Sequence, residues 1–189
     1  MPTRAALITG QVESLLLRQG KRLIVHADDF GSCASVNRAT IAALESEAIS
    51  SASVMAPCDY FKPAVNYAAR HPEMDIGLHL TVTSEWPAKR WGPVADREKV
   101  PSLIDEDGCF YADADVLSER ARPEEVYIEL KVQMERALAM GMKPTHVDTH
   151  MFALFYNDAL HQPARDKPWV RRRKEHSKAS RERNRQSTS

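Results

Sequence analysis

Two consecutive carboxylates, Asp28 and Asp29, lie in the stretch HADDFG (26–31), directly after an apolar run that begins at Leu23. A solvated turn accounts for one aspartate at such a place. Two of them, framed by His26 and followed by Phe30-Gly31, point to chemistry. Further on, His79 lies in GLHL, and HVDTH (146–150) sets His146, Asp148 and His150 at alternate positions. Carboxylates and imidazoles are the groups that hold divalent metals and move protons. In parallel β/α folds such groups gather where strands end.

The last stretch has two local readings. On a helix, His146 and His150 fall one turn apart, as in the H-E-x-x-H metalloproteases. Val147 stands where their glutamate would be. Pro144 and the β-branched Thr145, Val147 and Thr149 favour a strand, on which His146, Asp148 and His150 share one face. Each group alone has a plain structural explanation. A single histidine packs or hydrogen-bonds in a core, and paired aspartates cap a helix. Asp29-Phe30-Gly31 matches the kinase magnesium motif only in isolation, since the chain lacks the glycine-rich loop and the H-R-D sequence. Together at neighbouring strand ends they suggest a metal or acid–base site. One aspartate with two histidines gives three ligands and leaves positions open for water, as in a catalytic centre. The second aspartate is then free to act as a base.

The elements that must position these groups alternate. RLIVHA (22–27), ISSASVMA (49–56), DIGLHLTV (75–82) and KPTHVDTH (143–150) read as strands, the first as one buried on both faces. SVNRATIAALESEA (35–48, with Ser35 as N-cap), FKPAVNYAARHP (61–72) and PEEVYIELKVQMERALAMG (123–141) read as helices. This order predicts parallel β/α units. The polar segment 83–121 interrupts the rhythm; a connection that long is expected to be functional or partly structured.

Ten of the 26 Lys/Arg and three of the 26 Asp/Glu fall in 161–189, so that segment carries about +7 and the remainder about −7. Residues 161–189 have few apolar side chains and no periodicity, which predicts a disordered basic tail after a domain spanning 1–160. Cys33, Cys58 and Cys109 form no C-x-x-C pair, which argues against a disulfide framework and a thiolate zinc site. The first twenty residues lack the continuous apolar core of a signal peptide, and no stretch approaches membrane-span length. A cytoplasmic protein with no membrane partner is expected.

HADDFG with SVNRATIAAL, DIGLHLT, PSLIDEDGCF and KPTHVDTH occur in the order and approximate spacing of the YdjC-type carbohydrate deacetylases, the family that includes chitooligosaccharide deacetylase. The chain resembles them over roughly residues 15–157. The resemblance implies an α/β fold, an incomplete (β/α) barrel of about four units, and hydrolysis of the linear amide bond of an N-acetylated amino sugar or oligosaccharide. It also implies Asp29, His79 and His150 as metal ligands and Asp28 as catalytic base. Magnesium is the usual ion of such proteins, while two imidazoles equally suit zinc or another transition metal. Trp86 and Trp91 are candidates to stack on sugar rings, and His146 and Asp148 are candidates to bind substrate. After MFALFYNDAL the resemblance is expected to stop, as if by a frameshift or an early stop, leaving out the later units of the barrel. An exposed strand edge would then favour self-association, and impaired turnover is expected. The alternative is a non-catalytic relative whose basic tail binds nucleic acid or anionic surfaces.

Overall fold

A computed structural model describes residues 23–165. Four strands, β1 (His26–Phe30), β2 (Ser51–Val54), β3 (Ile76–Leu80) and β4 (Val147–Thr149), form one parallel sheet in sequential order. Between them run α1 (Ala34–Glu45), α2 (Phe61–Arg70), α3 (Ala114–Arg120) and α4 (Pro123–Ala139). Sequential order with crossovers of one hand sends every helix to the same side of the sheet. That is barrel topology, opened between β4 and β1.

Period-two alternation divides the sheet into two chemically distinct faces. Ala52, Val54, Ile76, Leu78 and Leu80 are buried within the hydrophobic core, together with Phe61, Val65, Leu130 and Met134 of the helices. The opposite, inner face carries His26 and Asp28, Ser51 and Ser53, Gly77 and His79, and His146 and Asp148. Registers of His26 with Ser51, Ser53 with Gly77, and His79 with Asp148 place these side chains in adjoining rows.

The first strand differs from expectation. It begins at His26 rather than ending near it, and Leu23, Ile24 and Val25 are largely exposed rather than buried on both faces. The physical reason is register: β2 begins at Ser51, opposite His26, and among the described residues no strand lies beside residues 23–25. The two aspartates therefore sit inside β1. Register shifts between Ala27 and Phe30, and Asp29 adopts the left-handed φ of 62°. In a regular strand neighbouring side chains point to opposite faces. This bulge lets Asp29 reach the same face as Asp28, so the rotation occurs at Asp29 and not only at the following turn.

Ser35 lies inside α1, whose N-cap is Cys33, and it caps nothing. Buried Asn37 instead holds the turn after β1. Its Oδ1 accepts from Gly31 N at 2.7 Å and its Nδ2 donates to the Tyr60 carbonyl at 3.0 Å.

The long segment is partly structured, with two 3₁₀ turns (Arg97–Lys99 and Pro101–Leu103), an Ile104–Phe110 antiparallel bridge and α3. Two glutamates one turn apart on α4 anchor it. Fully buried Glu129 accepts from Val94 N and Ala95 N, and Glu125 accepts from Ser102 N. Burial raises the Glu129 pKa, against the hydrogen bonds that lower it. After β4, a 3₁₀ segment (His150–Phe155) contains left-handed Met151 and Phe152, and α5 (Asp158–Arg165) follows. This helix crosses the boundary expected at 160/161. The rest of the basic segment lies outside the described residues.

Candidate active site

Three ligand atoms converge where β1, β3 and β4 end. His150 Nδ1 lies 3.2 Å from Asp29 Oδ1 and 3.2 Å from His79 Nε2, and His79 Nε2 lies 3.5 Å from Asp29 Oδ1. Asp29 Oδ1 is buried and, among the described residues, makes no hydrogen bond of good geometry. An orphaned carboxylate oxygen facing two imidazole nitrogens fits a divalent cation. All three residues can contribute one atom, within 4.8 Å of one another.

Both imidazoles are oriented from behind. His79 Nδ1 lies 2.8 Å from Asp148 Oδ1, so its N–H donates there and Nε2 presents a lone pair to the centre. Asp148 is held in turn by Ser53, whose hydroxyl donates to Oδ2 at 2.8 Å. His150 Nε2 lies 2.9 Å from Glu85 Oε2, which directs Nδ1 inward. Carboxylate–imidazole pairs of this kind fix the tautomer of a metal-binding histidine and make it more basic.

The charges are strongly coupled. Burial alone would lower the His150 pKa, but Asp29 and Glu85 raise it to about 9, so the ring is cationic at neutral pH in the metal-free protein. The neighbouring His150 ring holds the Asp29 carboxyl below its ordinary value. Burial works to raise Asp148 and Glu85, yet the hydrogen bonds from His79 and from His150 leave both lowered.

Asp28 stands apart from this cluster and is 62% exposed in its side chain, with Oδ1 3.2 Å from His26 Nε2. It lines, with His79 and Asp148, a cleft of about 440 Å³ whose other wall is apolar and includes Met151, Phe152 and Phe155. Trp91 is buried; its indole N–H donates to the Thr83 carbonyl and its ring lies edge-on to His150 at 5.9 Å. Trp86 is half-buried and packs edge-on to Trp91 at 5.7 Å. His146 lies away from the three-atom centre, against His26 with ring centroids 5.2 Å apart.

Ser53, Glu85 and Asn37 support the site without having stood out in the sequence. Ser53 sits in an ordinary apolar strand. Glu85 follows β3 in a polar segment where one carboxylate looks like any other. Only Asn37 carried a usable signal, as a polar residue on the inward side of a helix.

The YdjC-like protein family model matches residues 22–188. A carbohydrate deacetylase of Brevibacillus brevis is 38% identical over 129 residues, which cover 68% of this chain and 48% of that protein. One from Thermus thermophilus is 36% identical over 147 residues, covering 78% of this chain and 50% of the relative. A crystal structure from Enterococcus faecalis V583, provisionally named for cellobiose-phosphate cleavage, superposes with a TM-score of 0.66 at 34% identity. It covers 75% of this chain and 52% of its own. The chain thus spans about half the length of the curated relatives it matches. Among the described residues, no helix is long and apolar enough to cross a membrane. The match over most of the sequence, on a parallel half-barrel that brings Asp29, His79 and His150 together, makes this chain a member of the YdjC-like protein family.

Proposed function

We propose that the protein is a metal-dependent hydrolase that removes N-acetyl groups from amino sugars or their oligosaccharides. The observation that carries this reading is one cleft lined both by the exposed Asp28 carboxylate and by His79, whose other nitrogen converges with Asp29 and His150. A divalent ion held by Asp29, His79 and His150 would supply Lewis-acid polarisation of the acetamide carbonyl and lower the pKa of water at the site. Magnesium, zinc or another divalent ion suits this role by charge; the paired imidazoles favour the transition metals.

The chain's own residues divide the remaining work. Asp28 accepts the proton of the attacking water as its oxygen bonds to the acetyl carbon. His26, 3.2 Å away, orients that carboxylate. Breaking the C–N bond returns a proton to nitrogen, so one water and one amide give acetate and a free amine. Half-buried Trp86, on the segment anchored by Glu125 and Glu129, offers an apolar face to a sugar ring. The compartment in which this fits best is the cytoplasm, as composition suggests.

The test is acetate release from N-acetylglucosamine oligomers by the full chain, with magnesium, manganese, cobalt or zinc supplied. Metal-dependent release that vanishes in Asp28→Asn is expected. Release at equal rates with and without a chelator would overturn the reading.

A further inference from the structure

We propose that His26, His146 and Asp148 form a second site for a divalent transition-metal ion, on the inner face of the sheet, where it would tie β1 to β4. His26 Nε2, an imidazole nitrogen of His146 and an Asp148 oxygen all lie within 4.8 Å of one another. These residues belong to the first and last strands of the sheet and its adjoining loop. They reach each other because the inner rows between them are low, with Ser51 and Ser53 on β2 and Gly77 on β3.

Gly77 makes the approach possible. A Cβ at this position would lie 2.5 Å from His146 Nε2 and from Cδ2, so the imidazole rests directly on the glycine. Any other residue would push the ring away from His26.

Each ring is already oriented as a ligand. His146 Nδ1 lies 3.1 Å from Asp75 Oδ1 and 2.9 Å from Thr145 Oγ1, so its N–H is directed to the Asp75 carboxylate and Nε2 faces the sheet as a lone pair. His26 Nδ1 lies 2.6 Å from Ser51 Oγ, which leaves Nε2 for Asp148 Oδ2 at 2.9 Å. An ion here would replace the proton that Nε2 shares with that carboxylate. Two imidazoles with a carboxylate oxygen suit Zn²⁺ or Co²⁺ better than Mg²⁺. Outer partners of this type set ligand orientation in known metal sites.

The two sites share only Asp148, whose Oδ1 faces His79 and whose Oδ2 faces His26, while Asp29 and His150 take no part in the second. The experiment uses the full chain, made metal-free, with Zn²⁺ and Co²⁺ as probes. Binding is read by calorimetry and by bound metal after dialysis, and stability by thermal melting. Wild type is expected to bind two ions. Asp29→Ala should lose one and still gain melting temperature with Zn²⁺. His146→Gln, which keeps a planar side chain over Gly77, should lose the other, and adding it to Asp29→Ala should weaken the remaining binding at least about tenfold. His26→Gln should act like His146→Gln, and circular dichroism of each variant shows that it is folded. The proposal is overturned if folded Asp29→Ala retains no ion, or if neither glutamine variant lowers stoichiometry or affinity. Loss of acetate release with two ions still bound would count against the deacetylase reading and leave this site standing.

Discussion

Asp148 and His79 face each other across the last strand pair, Oδ1 to Nδ1 at 2.8 Å, and this contact turns the other imidazole nitrogen toward Asp29 and His150. The orienting group thus lies on β4 while the ligand it orients lies on β3. Asp148→Asn would keep the shape and weaken the acceptor. It is expected to reduce metal affinity about 10- to 100-fold, as measured by calorimetry, with the far-ultraviolet spectrum unchanged. Undiminished affinity would remove Asp148 from this role.

Adjacent aspartates should respond oppositely. Asp29→Asn is expected to lose the ion held with His79 and His150, while Asp28→Asn should retain that ion and lose turnover, since an amide accepts no proton from water. Equilibrium dialysis of both variants beside an acetate assay checks this. The reverse pattern would exchange the two assignments.

His150 makes stability depend on pH. Its folded value of about 9 lies above the unfolded 6.5, so its contribution is complete below pH 6.5 and is lost as pH rises through 9. Metal-free protein should therefore melt progressively lower across that interval, and His150→Gln should flatten the slope. Metal affinity should move the other way, rising toward pH 9, because an ion must displace the imidazolium proton.

Glu129 anchors the long segment from within the core. Glu129→Ala would strand the amides of Val94 and Ala95 and one N–H of the Gln133 side chain, which donates to Glu129 Oε1 at 2.7 Å. A loss on the order of 2–4 kcal/mol is expected from urea unfolding, with Glu129→Gln less severe.

The tryptophans should separate by burial. Trp86→Ala is expected to raise KM for sugar oligomers and leave metal affinity intact. Trp91→Ala should also lower the melting temperature, because the buried ring packs edge-on to His150 and its indole N–H donates to the Thr83 carbonyl. Unchanged KM in both would make them purely structural.

The β/α order and the four strands were legible because they depend on local pattern, apolar runs and helical spacing, whereas the set Asp29, His79 and His150 came from the family resemblance, and alternation in HVDTH alone grouped His146 with His150, which the structure separates. The start of β1 was not, because Leu23–Val25 look like core and only the register with Ser51 leaves them outside. The bulge at Asp29 was hidden for a related reason, since a left-handed aspartate has no spacing signature. Glu85 and Ser53 acquire meaning only from what stands opposite them in space, 65 residues away for Glu85 and His150.

The anchoring of segment 83–121 by Glu125 and Glu129 has an evolutionary corollary. On the proposed function, ligands and base come from strands and a strand end, whereas Trp86 and the Trp91 wall come from a connection fastened to α4 at a few carboxylates. Provided Glu85 and those carboxylates persist, the connection could be rewritten to suit a different sugar while the proposed hydrolytic residues are inherited unchanged. Divergence among relatives should therefore concentrate between Trp86 and Arg122, and grafting that stretch from one to another should transfer substrate preference.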